Sequence, residues 1–223
     1  MESLTRPWLK IILLLSSLAL LVIAIANPQT GSKMEEVKRE GIDIFIALDV
    51  SNSMLAEDIL PNRLERSRQA INRLIDKLTG DRVGIIVFAG KAYMQLPLTT
   101  DYNAARMFVS TINTNLVPSQ GTAIGEAIAM AVNSFETQTE RNKAIIIISD
   151  GEDHEENALT AAEEAKNKGI TVYTIGMGLA DGTPIPVYNE YGKKTGFRKD
   201  RNQNTVVTKL NEGLLQQVAA AGN

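Results

Sequence analysis

Apolar residues in this chain come in short, nearly unbroken runs: Ile42 to Leu48 around one aspartate, Val83 to Phe88, and Ala144 to Ile148. Such runs are too short for buried helices and too apolar for half-exposed strands, so they predict fully buried strands of a parallel sheet. Between them the period changes. Leu64, Ser67, Arg68, Ile71, Leu74, Ile75 and Leu78 mark a helix with one apolar stripe, stopped by Gly80, and the arginines scattered around it (Arg63, Arg66, Arg68, Arg73) are expected to form a solvated face. Asp101 or Thr100 caps a helix through Ala105, Phe108, Val109 and Ile112, and Gly121-Thr122 opens a small-residue helix over Ala123–Phe135. An alanine- and glutamate-rich helix from about Glu155 to Asn167 is closed by Lys168-Gly169, and a last helix covers Thr208–Ala221.

Two further strands complete the pattern. Ala92–Leu98 follows Val83–Phe88 across Gly90-Lys91 as a hairpin, with Pro97 placing it at the sheet edge. Ile170–Ile175 follows the alanine-rich helix. Asp181–Thr205 is polar and reads as a surface hairpin insertion, with strand-like pieces at Ile185–Tyr188 and Gly196–Arg198. Strands alternating with helices predict an α/β fold: a mostly parallel central sheet with helices on both faces.

The N-terminus has a different character. Arg6 and Lys10 precede Ile11–Ala26, an uncharged run broken only by two serines. Counted from Trp8 it approaches the roughly 20 residues that span a bilayer. A retained anchor is the first reading. A signal peptide is the second, because Ala24-Ile25-Ala26 is a small-x-small cleavage pattern. Either reading puts the α/β domain outside the cytoplasm. The expected organisation is an anchor or signal-like segment at 1–27, a linker at 28–40 and one α/β domain at 41–223.

Composition narrows the function classes. With a net charge of −3 and a pI near 5.4 the chain makes no electrostatic case for nucleic acid. It contains no cysteine and one histidine, which excludes disulfides, thiolate metal sites and His-rich zinc sites.

The candidate chemistry sits where the first buried strand ends. Asp49, Ser51 and Ser53 (D-x-S-x-S) set a carboxylate and two hydroxyls at the edge where open α/β sheets bind ligands. Hard oxygens in small number suit Mg²⁺, which keeps several of its waters. Asp150 follows a later buried strand and Thr122 opens a helix, both at the same predicted edge. Other readings are open: the serines as loop or helix caps, Asp150-Gly151 as an ordinary turn, Thr122 as an N-cap. Asp153, Glu155 and Glu156 read as first-turn carboxylates and His154 as a surface residue. Gly176-x-Gly178 lacks the rest of a dinucleotide fingerprint.

The segments ALDVSNSMLAEDI, PNRLERSRQAINRLID, GDRVGIIVFAGKAYMQLPLTTDY, VPSQGTAIGEAI and IIIISDGEDHE resemble a von Willebrand factor A domain with a metal-ion-dependent adhesion site. More closely, they resemble the bacterial aerotolerance-operon (Bat-type, BatA/BatB-like) membrane proteins, from Pro7 to the end of the chain. The resemblance implies a Rossmann-like domain holding Mg²⁺ (Mn²⁺ or Ca²⁺ being possible substitutes) at Asp49, Ser51, Ser53, Thr122 and Asp150. The hydroxyls would ligate directly, the aspartates often through water, and a partner's acidic side chain would complete the shell. It also implies company with other Bat-type proteins and a MoxR-type AAA+ ATPase, and a chaperone-like or assembly role.

Two features depart from that pattern. Ala123 stands where relatives often carry an aspartate, which removes a negative charge beside the site. Relatives also run on beyond the last helix into a further strand and membrane span, so truncation is expected at Gly222-Asn223. The function expected is a binding module anchored in the bacterial inner membrane, with its domain periplasmic and no catalytic residues. The alternatives are a metal-dependent phosphohydrolase with Asp49 as nucleophile and a metal-independent scaffold. Against the first, Ser51 stands where that chemistry wants a second carboxylate.

Overall fold

The computed structural model describes residues 5–26, 41–136, 139–152 and 157–223. The reading of Asp153, His154, Glu155 and Glu156 lies outside the described residues, as does the 28–40 linker. The chain forms two units, divided between Lys38 and Arg39.

Among the described residues the first unit holds one helix, α1 (Thr5–Ala26), with no acidic residue in its first turn and no basic residue in its last. Its segment Pro7–Ile25 has a mean hydropathy of 2.6 and is none of it buried, so it is long and apolar enough to cross a membrane.

The second unit is built on a five-stranded sheet. Its strands are β1 (Asp43–Asp49), β2 (Arg82–Phe88), β3 (Ala92–Thr99), β4 (Lys143–Ser149) and β5 (Ile170–Gly176), in the order β3-β2-β1-β4-β5. β1, β2, β4 and β5 pair in parallel and β3 runs antiparallel at the edge, where the missing N–H of Pro97 is tolerated. Every residue of β1 is buried, as its unbroken apolar run requires of a central strand.

Alternation along the strands divides the core in two. Phe45, Ala47, Ile86, Phe88, Ile145 and Ile147 face α4 (Ile124–Ser134), α5 (Ala158–Asn167) and α6 (Glu212–Ala221). Ile44, Ile46, Leu48, Ile85 and Val87 face α2 (Arg63–Ile75) and α3 (Tyr102–Thr111). Phe45 also meets Phe135 edge-to-face, with ring centroids 4.9 Å apart.

The insertion is two small antiparallel ladders rather than one hairpin. β6 (Thr183–Pro184) pairs with β9 (Val207–Thr208), and β7 (Pro186–Tyr188) pairs with β8 (Lys194–Phe197). This shifts one boundary. Thr208 belongs to β9, and α6 starts only at Glu212, where the Asn211 side chain accepts from the Leu214 N–H. α2 likewise ends at Ile75 rather than Leu78, its last turn tightening through Lys77 N–H to Leu74 O and Leu78 N–H to Ile75 O. Asp101 caps α3 as expected, accepting from Asn103 and Ala104.

Candidate functional site

β1 and β4 are parallel neighbours with Leu48 beside Ile148, so both chains leave the sheet at one edge, side by side. Asp49 and Asp150 fall there and are fully buried. Asp49 Oδ1 accepts from the Ser51 N–H at 2.8 Å and Oδ2 accepts from the Ser149 hydroxyl at 2.6 Å. Ser149 Oγ in turn accepts from the Gly151 N–H at 2.9 Å, so one carboxylate braces the loops after both strands. Burial, and after it the nearby Asp150 charge, push Asp49 up to about 7 against the hydrogen bonds from Ser149 and Ser51.

After Asp49 the chain enters a short 3₁₀ turn (Asn52–Leu55), with Ser51 at its cap position. The Ser51 side chain makes no capping bond; its Oγ lies 2.8 Å from Ser53 Oγ. The hydroxyls therefore pair with each other instead of serving the helix.

A third hydroxyl is brought in from across the sheet. The Ala123 N–H donates to Ala89 O at 2.7 Å and the Gly90 N–H to Ser119 O at 3.0 Å, strapping the loop before α4 onto the end of β2. That approach depends on glycine: Gly121 has φ +139, and a Cβ on Gly90 would stand 2.8 Å from Gln120 O. Ala123, not Thr122, occupies the N-cap of α4, and it offers no capping side chain. Thr122 instead lines one open cleft of about 150 Å³ with Ser51 and Ser53, joined there by Gln120, Glu152 and Arg198.

Asp150 sits behind this wall with both oxygens engaged. Oδ1 accepts from the Glu152 N–H at 3.2 Å, and Oδ2 from Arg63 Nη1 at 2.9 Å. Arg63 is the main correction to the sequence reading. Rather than joining a solvated face it is fully buried, with Asp58 taking its Nε at 2.9 Å and its Nη2 at 2.7 Å. The reason is helical spacing: Arg63, Ser67, Ile71 and Ile75 recur every fourth residue and all are buried. Gly178 completes its niche, since a Cβ there would stand 2.8 Å from Arg63 Cζ. Arg68 departs less, donating to Val109 O at 3.0 Å to tie α2 to α3, while Arg66 and Arg73 are exposed as expected.

Arg63 also extends the site toward the insertion. Its Nη1 donates to Thr208 Oγ1 at 2.9 Å, and that hydroxyl donates to Glu152 Oε2 at 2.9 Å. Ser149, Asp58, Glu152, Gln120, Thr208 and Arg198 were not singled out by sequence reasoning; only Ser149, ending a buried strand beside Asp150, carried a local signal.

The donor set suits a small, hard cation. Three neutral hydroxyls stand at the cleft wall, with two buried carboxylates behind them whose proximity a positive charge in the cleft would relieve. No group of three or more His, Asp or Glu side chains forms a metal cluster among the described residues. A cation here would rest on hydroxyl and water oxygens, with no imidazole or thiolate among the residues that line the cleft.

Comparison with known proteins agrees with the fold. A protein from Bacteroides fragilis described as an aerotolerance-related membrane protein superposes with a TM-score of 0.78 at 48% identity, over 82% of this chain and 89% of that one. The conserved hypothetical protein BatB from Bacteroides thetaiotaomicron superposes with a TM-score of 0.77 at 50% identity, over 82% and 87%. A UPF0353 protein from Nocardia farcinica is 35% identical over 191 residues, 78% of this chain but 55% of the relative, so the chain spans little more than half of that protein. The family model for the von Willebrand factor type A domain matches residues 43–212. The chain therefore belongs to the von Willebrand factor type A domain family.

Proposed function

We propose that this chain is a membrane-tethered interaction module whose hydroxyl-lined cleft holds Mg²⁺, and that an Asp or Glu of a partner protein completes the coordination. The observation that carries this is the convergence of Ser51, Ser53 and Thr122 on one open cleft in front of buried Asp49 and Asp150. A divalent cation bound there supplies a Lewis-acidic position for a carboxylate oxygen. Neutral hydroxyls leave most of its charge uncompensated, which favours an anionic group arriving in trans. Asp49 fixes the loop that carries the two serines, and Asp150 is held in place by Arg63.

The same geometry disfavours a phosphohydrolase. Asp49 is fully buried with both oxygens engaged and takes no part in lining the cleft, a poor position for a nucleophile. Membership of the von Willebrand factor A family supports an interaction module. Likeness to the aerotolerance-related membrane protein of Bacteroides fragilis supports work at the cell envelope in stress tolerance. The apolar helix α1 is long enough for an anchor, a test that a signal sequence also passes. A retained anchor in the bacterial inner membrane, with the domain on the periplasmic side, belongs to this proposal. Other Bat-type proteins and a MoxR-type AAA+ ATPase belong to this proposal as partners.

Retention of the detergent-solubilised chain on immobilised polyglutamate tests it. Retention should require Mg²⁺ or Mn²⁺ and end on addition of EDTA. Retention that survives EDTA would favour a metal-independent scaffold.

A further inference from the structure

Resting on the cation reading, we infer that Arg198 is a second anchor for the partner: the acidic side chain that reaches the cation also engages the Arg198 guanidinium at the rim of the cleft. Arg198 follows β8 in the insertion, yet it lines the same cleft as Ser51, Ser53 and Thr122. Its backbone is held on both sides. The N–H donates to Ile185 O at 2.8 Å and the carbonyl accepts from the Val206 N–H at 2.8 Å.

The insertion itself is fastened to the site loops at three places. The Leu179 N–H donates to Asp58 Oδ2 at 2.8 Å where the insertion leaves the sheet. Thr208 and Lys209 donate to the two oxygens of Glu152, at 2.9 Å and 2.8 Å, where it returns. Between them, the Tyr188 hydroxyl and Lys194 Nζ both donate to Glu57, a few residues beyond the two serines. Arg198 is thus carried to the cleft by a braced structure rather than by a loose loop.

Charge then decides what it does there. Two neighbouring cations are already spent on acidic partners: Arg63 on Asp58 and Asp150, and Lys194 on Glu57. No ion pair joins Arg198 to a described residue, and Glu152, which lines the same cleft, is already engaged by Thr208 and Lys209. A guanidinium beside a divalent cation is repulsive unless an anion lies between them. A carboxylate satisfies both, one oxygen on the cation and one on the planar N–H fork. The cleft of about 150 Å³ has room for one short acidic side chain and falls below the roughly 300 Å³ of small-molecule sites.

The test is Mn²⁺ titration of the detergent-solubilised full chain, with and without saturating N-acetylglutamate amide. The probe should tighten Mn²⁺ binding by the wild type, within the roughly 5- to 150-fold range of coupled ligands. Arg198→Ala, at an exposed position, should bind Mn²⁺ alone as tightly as wild type or more so, while its probe-dependent gain falls by about tenfold or vanishes. Arg198→Glu should tighten Mn²⁺ alone further and show no gain. An equal gain in Arg198→Ala overturns the assignment of Arg198 and leaves the proposed function standing. No gain in the wild type overturns completion by a carboxylate, and the role of Arg198 with it, and leaves only the cation site. Absence of Mn²⁺ binding by the wild type overturns the cation reading and this inference with it.

Discussion

Arg63 Nη1 donates to Asp150 Oδ2 at 2.9 Å, and neither side chain exposes any surface to solvent. This pair links the first turn of α2 to the loop after β4, 87 residues away, and Asp58 and Thr208 close the remaining sides of the guanidinium. A buried pair of this kind contributes little when intact, because desolvation offsets attraction, but breaking it strands a charge.

Arg63→Ala should therefore lower unfolding free energy by about 3–5 kcal/mol, since it leaves both Asp58 and Asp150 without their counter-ion. Arg63→Lys should recover part of the loss but not all, because one ammonium cannot reproduce the fork that binds Asp58 twice. Urea unfolding at constant m-value measures both. A change within about 0.5 kcal/mol for Arg63→Ala would fit the solvated face that the sequence alone implied, not a buried cation.

The hairpin of the insertion should respond to acid. Hydrogen bonds from Lys194 and then Tyr188 to the Glu57 carboxylate hold it below the usual glutamate range. A depressed folded-state pKa contributes stability above the unfolded value of about 4.3 and loses it as pH falls through the folded value. Amide exchange across β7 and β8 should thus accelerate relative to the central sheet as pH drops below about 4, after correction for intrinsic rates. Glu57→Gln should speed it already at neutral pH. Equal protection in wild type and Glu57→Gln throughout would show that Glu57 does not fasten the hairpin.

Gly84 gives a test of the core. A Cβ on it would stand 2.3 Å from Phe45 Cε1, and Phe45 is itself held edge-on to Phe135. Gly84→Ala should cost about 1–3 kcal/mol by overpacking, even though alanine is the better β-former on entropy grounds. A gain in thermal midpoint would mean that the ring yields without cost.

The parts legible in the sequence were those set by local pattern. β1, β2 and β4 are buried parallel strands, and burial on both faces writes itself as an unbroken apolar run. Asp49, Ser51, Ser53, Thr122 and Asp150 were visible because strand ends locate them, and the fold does bring them to one edge. The structure divides them, three hydroxyls in the cleft and two carboxylates behind, which chain order does not reveal. Arg63 was misread because its charge outweighed its place on the buried stripe with Ser67 and Ile71. Arg198 was illegible for a different reason. Its position over the site depends on contacts such as Lys194 to Glu57, 137 residues apart, and no local signal encodes them.

The most direct measurement is Mn²⁺ affinity of the detergent-solubilised chain, for the wild type, Ser51→Ala and Thr122→Ala, with unfolding followed in parallel without metal. Neither hydroxyl lies in the hydrophobic core, so both variants should keep stability within about 1 kcal/mol. Each should lose roughly tenfold or more in Mn²⁺ affinity, because each removes an oxygen that would touch the cation. Wild-type affinity retained in both variants would contradict the hydroxyl-lined cation site, whatever else the cleft binds.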